Sequence, residues 1–316
     1  MNILMITEND PAGMGIAFQK ATNRYSEHTC RLITTKTRYE FEFEKDIHIP
    51  DLDSSGYEEI VQLLREADII HFHILSDENM MLGPICVKDY IKGKAILHHH
   101  HGHPDFRSHP EKYRDKYRKR RRKVLVSTPD LLHLVPEAEW QPNLVPIDSP
   151  YYLPVENHIN GKTRICQSPT RKDLKNTREF ESTVESLKKA YPYVEKIMIA
   201  NSKHLDCLRI KQSCDIHFDH MHGYFGVSSL EGLSQGKPVI AGLDDWNAAH
   251  IKRFTGSATL PWVIARGEHE LYDYMKKLIE DVGWRNEIGA QSRHFMEGHW
   301  SDKRVLRILL EIYGKL

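Results

Sequence analysis

Short apolar segments and helix-forming segments alternate along almost the whole chain, and this alternation limits the possible folds more than any other feature. Runs such as NILMIT (residues 2–7), ADIIHFHIL (67–75) and KAILHHH (94–100) predict strands, while stretches between them, such as YEEIVQLLREA, have helical spacing. A repeated strand–helix order calls for a mostly parallel sheet with helices on both faces. The sequence therefore predicts an α/β protein with doubly wound parallel sheets.

The alternation is interrupted by one segment, residues 142–163, which has four prolines and no periodicity. It resumes with RICQSP (164–169) and continues through EKIMIA, CDIHFD and KPVIAG. A chain of 316 residues is also longer than one core usually fills. We therefore expect two domains, residues 1–150 and 151–298, followed by a helical segment at residues 299–316.

Composition excludes several broad classes of protein. Lys plus Arg equals Asp plus Glu at 44 each, so no overall charge draws the chain to nucleic acid or to a membrane. The five cysteines are odd in number and lack CxxC or CxH spacing, which argues against a disulfide framework or a structural zinc site. The N-terminus does not resemble a signal peptide, and no stretch approaches the roughly 20 apolar residues of a membrane span. These features favour a cytoplasmic protein with reduced thiols.

The first predicted strand is followed by a glycine-containing loop. Ligands of open parallel sheets bind outside the carboxyl ends of the strands, so residues that follow strands are the first candidates for a site. Gly13 and Gly15 precede a helix there, and their loop offers backbone amides to a phosphate or a sugar. A tight turn without a ligand is the alternative, and both interpretations stay open.

The predicted strand at residues 94–100 ends in a run of histidines, AILHHHHGH, which continues into the next loop. Successive side chains of a strand face opposite ways, so His98 and His100 would face one side and His99 and His101 the other. The four cannot converge on one metal ion unless the strand ends among them. We expect His101 to begin the loop and to lie at the ligand crevice, and the preceding three to be packing or hydrogen-bonding residues.

A zinc site is the alternative interpretation of this run. It would need ligands from elsewhere in the chain, such as His73, His103 or Asp105. We favour the interpretation without a metal.

The most specific signal lies at residues 214–242, CDIHFDHMHGYFGVSSLEGLSQGKPVIAG. A glycine loop begins at Gly223, ends at Gly226, and precedes a short predicted helix that starts near Val227. Free amides and the positive end of that helix suit a diphosphate. Glu231, about one turn into the helix, can accept hydrogen bonds from two ribose hydroxyls with its two carboxylate oxygens.

This segment resembles the nucleotide-sugar site of retaining GT-B glycosyltransferases of the "group 1", family 4-like type, whose common form is E-G-F-G-L-V-x-x-E-A-x-A-x-G-K-P-V-I-A. The positions that match in register are Gly226, Glu231, Gly236, Lys237, Pro238, Val239, Ile240 and Ala241. Gly223 replaces the first glutamate of the family's E-x7-E pair, so the usual acidic contact to the donor sugar is missing. A subgroup with a D-x-x-x-G-(aromatic)-(aromatic)-G form is similar to Asp219, Gly223, Tyr224, Phe225 and Gly226.

The resemblance implies a GT-B protein of two Rossmann-like domains that face a central cleft, with a last helix that crosses back to the first domain. The second domain would bind a nucleotide-diphosphate sugar, and the first would bind the acceptor, a surface glycan or a lipid-linked saccharide. The implied reaction transfers the sugar with retention and needs neither a metal nor another cofactor.

The resemblance also assigns roles to individual residues. Arg171 and Lys175 match the family's R-x-x-x-K form and would offset the charge of the leaving phosphate. His101, followed by Gly102 as in the family's H-G pair, would face the donor sugar. The expected donor-binding residues are Gly13, Gly15, Gly223, Tyr224, Phe225, Gly226, Val227, Ser228 and Glu231.

A basic run begins at Lys116 and ends at Lys123, with tyrosines in and near it. It could hold an anionic membrane surface near a lipid-linked acceptor, form a solvated helix, or bind nucleic acid. Zero net charge and the lack of a recognisable nucleic-acid-binding motif count against the last option, and the membrane option would place the protein peripherally at the inner face of a membrane. Two alternatives to a transferase stay open: a nucleotide-sugar epimerase with the same architecture, and a catalytically silent sugar-nucleotide-binding protein.

Overall fold

The computed structural model of the chain describes residues 1–39, 41–155 and 161–316, so the predicted linker at 142–163 lies partly outside the described residues. The chain forms two compact units. One comprises Met1–Leu144 and Lys303–Leu316, and the other comprises Val145–Asp302. The C-terminal segment thus belongs to the same unit as the N-terminal half of the chain.

The first unit is built on a parallel sheet. Its strands are β1 (Asn2–Thr7), β2 (Thr29–Thr34), β3 (Ile47–His48), β4 (Ile69–His73), β7 (Ala95–His100), β8 (Lys123–Val126) and β9 (Glu139–Trp140). A separate hairpin of β5 (Met81–Leu82) and β6 (Ile85–Cys86) lies between β4 and β7 in the chain. The strand order is β3-β2-β1-β4-β7-β8-β9, and each neighbouring pair is parallel. This order reverses between β1 and β4, as in a dinucleotide-binding sheet.

Helices cover both faces of this sheet. They are α1 (Met14–Tyr25), α2 (Ser54–Glu66), α3 (Pro104–Ser108), α4 (Pro110–Arg120) and, from the end of the chain, α11 (Asp302–Tyr313). Fully buried side chains of the strands, Ile6, Ile33 and Phe72, pack in one cluster with Ile60 and Leu64 of α2. These two residues are four apart and therefore lie on one face of the helix, which explains why its apolar stripe faces the sheet.

The second unit has a smaller parallel sheet. Its strands are β10 (Thr163–Gln167), β11 (Val194–Met198), β12 (Ile216–Phe218), β13 (Val239–Ala241) and β14 (Val263–Ile264), in the order β11-β10-β12-β13-β14. Its helices are α5 (Thr177–Ala190), α6 (His204–Gln212), α7 (Val227–Ser234), α8 (Asp245–Thr255), α9 (Glu268–Glu280) and α10 (Val282–His299). The core joins Ile165, Ile216 and Ile240 of the strands to Phe180 of α5 and Met275 of α9.

The predicted α/β architecture of two doubly wound parallel sheets is confirmed. The strands expected from the apolar runs of the sequence, including CRLITT (30–35) and KVLVST (123–128), are all present, while the two-residue strands β3, β9 and β14, and the β5–β6 hairpin, were not expected. These short strands contain too few residues to show an alternating pattern. None of the helices formed by the described residues has both the length and the apolar character needed to cross a membrane.

The core of the second unit gives a direct test of its packing. Phe180 is fully buried, and its ring lies parallel to that of Phe218 at a centroid distance of 5.6 Å. Phe180→Ala should lower the free energy of unfolding by about 3–5 kcal/mol because it leaves a cavity. Leu174→Ala, at a side chain that is 45% exposed, should change it by less than about 0.5 kcal/mol. Urea denaturation followed by circular dichroism measures both, and equal effects would contradict this packing.

Candidate functional site

The strand order of the second unit reverses between β10 and β12, and a ligand is expected outside the carboxyl ends of strands at such a point. β10 ends at Gln167, which is buried. Its side-chain amide donates to the carbonyl of Lys175 (2.6 Å) and to the carbonyl of Asp219 (3.2 Å). One residue therefore holds together the two loops that leave the switch point.

Asp219 organises the glycine loop that follows β12. Its Oδ2 accepts hydrogen bonds from the backbone amide of Gly226 (2.6 Å) and from the hydroxyl of Ser229 (2.8 Å), and its Oδ1 accepts one from Lys175 Nζ (2.9 Å). Burial opposes ionisation of Asp219, but the charge of Lys175 and the bonds to the carboxylate outweigh it, so the pKa of Asp219 lies well below its usual range. Asp219 is thus a buried anion that fixes the start of α7.

Gly226 allows Lys175 to reach this position. A Cβ atom at residue 226 would lie 2.9 Å from Lys175 Nζ and 3.1 Å from an Asp219 carboxylate oxygen. A larger residue at this position would have to displace the ammonium group or the carboxylate. The predicted loop glycine and the predicted lysine are therefore close together, and the carboxylate between them is the residue that connects them.

The first turn of α7 begins directly at the loop. Gly226 is its N-cap and offers no side chain to bond the first amides of the helix. In an α-helix the first N–H groups have no intrahelical acceptor, so the Val227 and Ser228 amides are available to an anion. The Ser228 hydroxyl is near two other polar groups, Ser168 Oγ at 3.0 Å and Lys211 Nζ at 2.7 Å.

Glu231 lies one turn further along α7 and is only 6% exposed. Its Oε1 lies 3.0 Å from His204 Nε2, and its Oε2 accepts from Lys211 Nζ at 2.5 Å. Burial raises the pKa of Glu231, but the charge of Lys211 and the bond to His204 outweigh burial and lower it to about 2. The charge of Glu231 in turn raises the pKa of the buried Lys211. The carboxylate is therefore ionised and held in position before any ligand binds.

The two partners of Glu231 were not predicted from the sequence. His204 and Lys211 are seven residues apart on α6, a spacing of about two turns that places both on one face. That spacing was visible in the sequence. The pairing of α6 with α7 was not, because it depends on the order of strands in the sheet.

Gly223 occupies the position where the family has its first glutamate. It has a φ of +87°, in the region that favours glycine, and its carbonyl accepts from the Asp244 amide at 2.8 Å. A Cβ at residue 223 would lie 3.0 Å from Oδ2 of Asp244, which follows β13. The Asp244 carboxylate, which follows the neighbouring strand β13, therefore lies beside Gly223, which has no carboxylate of its own.

Three other expected site residues have different surroundings. Phe225 is 1% exposed and packs against Trp262 and Trp300 at centroid distances of 5.3 and 5.7 Å, so its ring anchors the loop in the core. The Tyr224 ring contacts His220 edge-on at 4.6 Å. Arg171 lies on an exposed loop and forms an ion pair with Asp173.

In the first unit, the loop after β1 is already occupied by a side chain. The carboxylate of Asp10 accepts from the amides of Gly15 (3.1 Å) and Ile16 (2.9 Å), the groups that would otherwise face a phosphate. Gly13 has a φ of +64° and lies against the Phe43 ring, since a Cβ there would be 2.5 Å from that ring. Gly13 is therefore explained by the turn and by this close approach, and Gly15 by the Leu32 side chain and the Asp10 carboxylate, which a Cβ there would approach to 3.1 and 3.2 Å.

His101 follows β7 directly, as expected from the end of the strand. Its Nε2 lies 3.1 Å from His73 Nδ1. Burial lowers the pKa of His101 to about 4, against a hydrogen bond with Asn143 that raises it. The imidazole is consequently neutral at physiological pH.

The other histidines of the run alternate between the faces of the sheet. His100 bonds the Tyr117 hydroxyl at 2.6 Å and stacks on Phe106, whereas His99 lies on the opposite face with His73. The proposed zinc ligands His103 and Asp105 lie at the start of α3 and make hydrogen bonds there instead. His103 accepts from the Asp105 amide at 3.1 Å, and the Asp105 carboxylate bonds the Tyr113 hydroxyl.

No family model and no curated protein matches this sequence. Solved structures do match over the whole chain. HepE from Anabaena, in complex with UDP and glucose, has a TM-score of 0.72 and 12% identity, with 100% of both chains covered. A glycosyltransferase from Rickettsia africae has a TM-score of 0.66 and 15% identity, with 99% of this chain and 98% of that chain covered.

Sucrose-phosphate synthase from Thermosynechococcus elongatus is a third match, with a TM-score of 0.64, 13% identity, and 100% of this chain and 99% of that chain covered. At such low identities, these likenesses establish the fold. The predicted GT-B fold class is thereby confirmed.

The buried pair of Lys211 and Glu231 yields a stability prediction. Lys211→Met removes the buried cation from Glu231, leaves the carboxylate with His204, and should lower the free energy of unfolding at pH 7 by about 3–5 kcal/mol. Adding Glu231→Gln should restore most of this loss. Because the folded pKa of Glu231 is depressed, its contribution is present above pH 4.5 and is lost as the pH falls through about 2.

The difference in stability between wild type and Lys211→Met should accordingly narrow as the pH falls. Urea denaturation of the wild type, the single variant and the double variant over this pH range measures it. A constant difference would show that the effect is loss of packing rather than loss of charge pairing.

Proposed function

We propose that this protein is a glycosyltransferase that moves a sugar from a nucleotide-diphosphate sugar to an acceptor. One observation carries the proposal: at the switch point of the second unit, Asp219 holds Lys175 and the Gly226 amide together at the uncapped start of α7. A cation beside an open helix N-terminus suits a diphosphate. The UDP in the HepE structure makes a UDP-sugar the first donor to test.

Glu231 is proposed to bind the ribose of the donor. Each of its carboxylate oxygens already accepts one hydrogen bond, from Lys211 or His204, and each has a further lone pair for a ribose hydroxyl. Because these partners fix the carboxylate, little side-chain entropy is lost when the ribose binds.

Lys175 and Arg171 are proposed to offset the charge that develops on the leaving phosphate. Lys175 is already beside the α7 start. Arg171 pairs with Asp173 in a setting where both side chains are about half exposed, at 45% and 59%, and such surface pairs contribute little energy. Breaking that pair to turn the guanidinium toward the donor therefore costs little.

The donor sugar is proposed to lie near Gly223 and Asp244. Gly223 has no side chain to contact it, and the Asp244 carboxylate next to it is the available hydroxyl acceptor. Retention of anomeric configuration and transfer without a metal are proposed from the motif at residues 214–242, with His101 as the sugar-facing histidine.

The acceptor is proposed to bind the first unit and to be a glycan or a lipid-linked saccharide. A cavity of about 250 Å³ opens in this unit, and its lining includes Asn9, Thr34, Tyr39, Phe43 and Lys45. Thr34 ends β2 and Asn9 follows β1, so the cavity lies at the carboxyl ends of these strands, where open parallel sheets generally bind ligands. Aromatic faces beside hydroxyl and amide groups suit a sugar ring.

Membrane contact through the basic run stays a prediction, and the structure offers another account of the charges. Ion pairs within the first unit join Lys116 to Asp77, Arg118 to Asp115, Arg120 and Arg122 to Glu78, and Lys123 to Glu139. Because most of this charge is neutralised locally, we expect little preference for anionic lipid. Co-sedimentation with neutral vesicles and with vesicles containing anionic lipid measures it, and strong binding to the anionic vesicles alone would contradict this expectation.

Donor binding is tested with Glu231→Gln, which keeps the shape of the side chain but removes its charge. Hydrogen bonds to a charged group contribute about 1.5–3 kcal/mol, so the affinity for the matching nucleoside diphosphate should fall roughly 10- to 150-fold. A thermal-shift panel of UDP-, GDP-, ADP- and CDP-sugars first identifies the base, because a ligand at 100 times its Kd stabilises by about 2.7 kcal/mol. Calorimetric titration then compares the variant with wild type.

The matched control is Glu287→Gln, at an exposed position on α10, which should bind the nucleotide like wild type. Equal affinities for folded Glu231→Gln and wild type would remove Glu231 from the site. Turnover separates the remaining alternatives: an epimerase converts the donor without an acceptor, and a silent binding protein neither converts nor hydrolyses it.

A further inference from the structure

The first unit contains a cluster of buried histidines on the face of the sheet opposite to Phe72 and His98. His71 and His73 alternate on β4, and His99 on β7 is the registered partner of His73. The imidazole centroids are 4.2 Å apart for His71 and His73, 5.5 Å for His71 and His99, and 5.4 Å for His73 and His99. All three side chains are at most 2% exposed.

These rings have nitrogen atoms without hydrogen-bond partners. Among the described residues, no partner is found for Nε2 of His71, Nε2 of His73 or either ring nitrogen of His99. A polar atom buried without a partner is costly, and native proteins rarely leave several together. One candidate ligand atom from each of the three rings lies within 4.8 Å of the other two.

The bonds that these rings do make are those expected of metal ligands. His71 Nδ1 lies 2.7 Å from the Tyr313 hydroxyl, and His73 Nδ1 lies 3.1 Å from His101 Nε2. If each Nδ1 carries the proton and donates it, each Nε2 presents a lone pair. A metal-bound histidine commonly donates its other N–H to such an outer partner, which fixes the tautomer and the ring orientation.

We propose that His71, His73 and His99 form a site for a divalent transition-metal ion of the zinc class. Imidazole ligands suit zinc, cobalt, nickel and copper, and a zinc ion can take three histidine ligands with a water molecule as the fourth. Zinc–nitrogen bonds of about 2.0–2.1 Å imply nitrogen separations near 3.3 Å, so the rings rotate inward by a small amount on binding.

The zinc alternative drawn from the sequence named His73, His103 and Asp105 as candidate ligands beside the histidine run; the structure groups His73 with His71 and His99, and places His103 and Asp105 at α3. The three ligands of the proposed site are not among the residues proposed to bind the donor, and His73 bonds His101, the proposed sugar-facing histidine. Because its ligands come from two central strands, with α11 supplying the Tyr313 partner, the ion would tie the C-terminal helix to the sheet. We therefore expect metal binding to stabilise this unit.

The test uses the full chain produced without a histidine tag. Elemental analysis by mass spectrometry, after removal of metal with a chelator and reloading with Zn²⁺, should give about one ion per chain. Reloading with Co²⁺ should give the visible absorption bands of a tetrahedral site. The reloaded protein should have a higher melting temperature than the metal-free protein.

The variant His71→Gln/His99→Gln should reduce Zn²⁺ affinity at least tenfold. The matched control is His100→Gln on the opposite face of β7, where a buried histidine bonds Tyr117, and it should bind one ion. If folded wild type binds no stoichiometric Zn²⁺ or Co²⁺, or if the double variant binds as tightly as the control, the proposal is wrong. If the double variant does not fold, the binding of Zn²⁺ and Co²⁺ by the metal-free wild type still decides whether the proposal holds.

Discussion

The buried carboxylate of Asp219 is the interaction on which the candidate donor site depends. It bonds the Gly226 amide, the Ser229 hydroxyl and the Lys175 ammonium at once, so one side chain sets the glycine loop, the start of α7 and a cation. A buried charge is tolerated only when it is paired and hydrogen-bonded, and here both conditions are met. Lys175 therefore serves two roles: it neutralises Asp219 and leaves its ammonium group beside the helix start.

A second buried ion pair extends this arrangement by one helical turn. Glu231 of α7 is held by Lys211 and His204 of α6, which fixes the carboxylate toward which a ribose would bind. The two pairs make the site preorganised, because its charges are balanced within the protein before a nucleotide arrives. Preorganisation lowers the conformational entropy lost on binding and so favours affinity. Loss of either partner would cost stability and ligand binding together.

The sequence predicted the fold well because the short apolar runs that were expected to be strands all belong to one of the two parallel sheets. A motif with fixed spacing also predicted that Gly226 and Glu231 lie on one loop and helix, and a separate resemblance predicted that Lys175 belongs with them; the structure has Lys175 Nζ next to Gly226. It did not predict Lys211 and His204, which come from another helix and are positioned only by the strand order. For Phe225 the motif was misleading in another way: it predicted a donor-binding residue, but the Phe225 ring packs in the core with Trp262 and Trp300.

The central claim is that a nucleoside-diphosphate sugar binds at the switch point of the second unit. Hydrogen–deuterium exchange with and without saturating UDP measures this most directly, because it reports on backbone amides rather than on side chains. We expect slower exchange at residues 219–231, which contain the glycine loop and the start of α7, and unchanged exchange at residues 9–16 of the first unit, where Asp10 already bonds the amides. Protection confined to residues 9–16, with no change at residues 219–231, would contradict it.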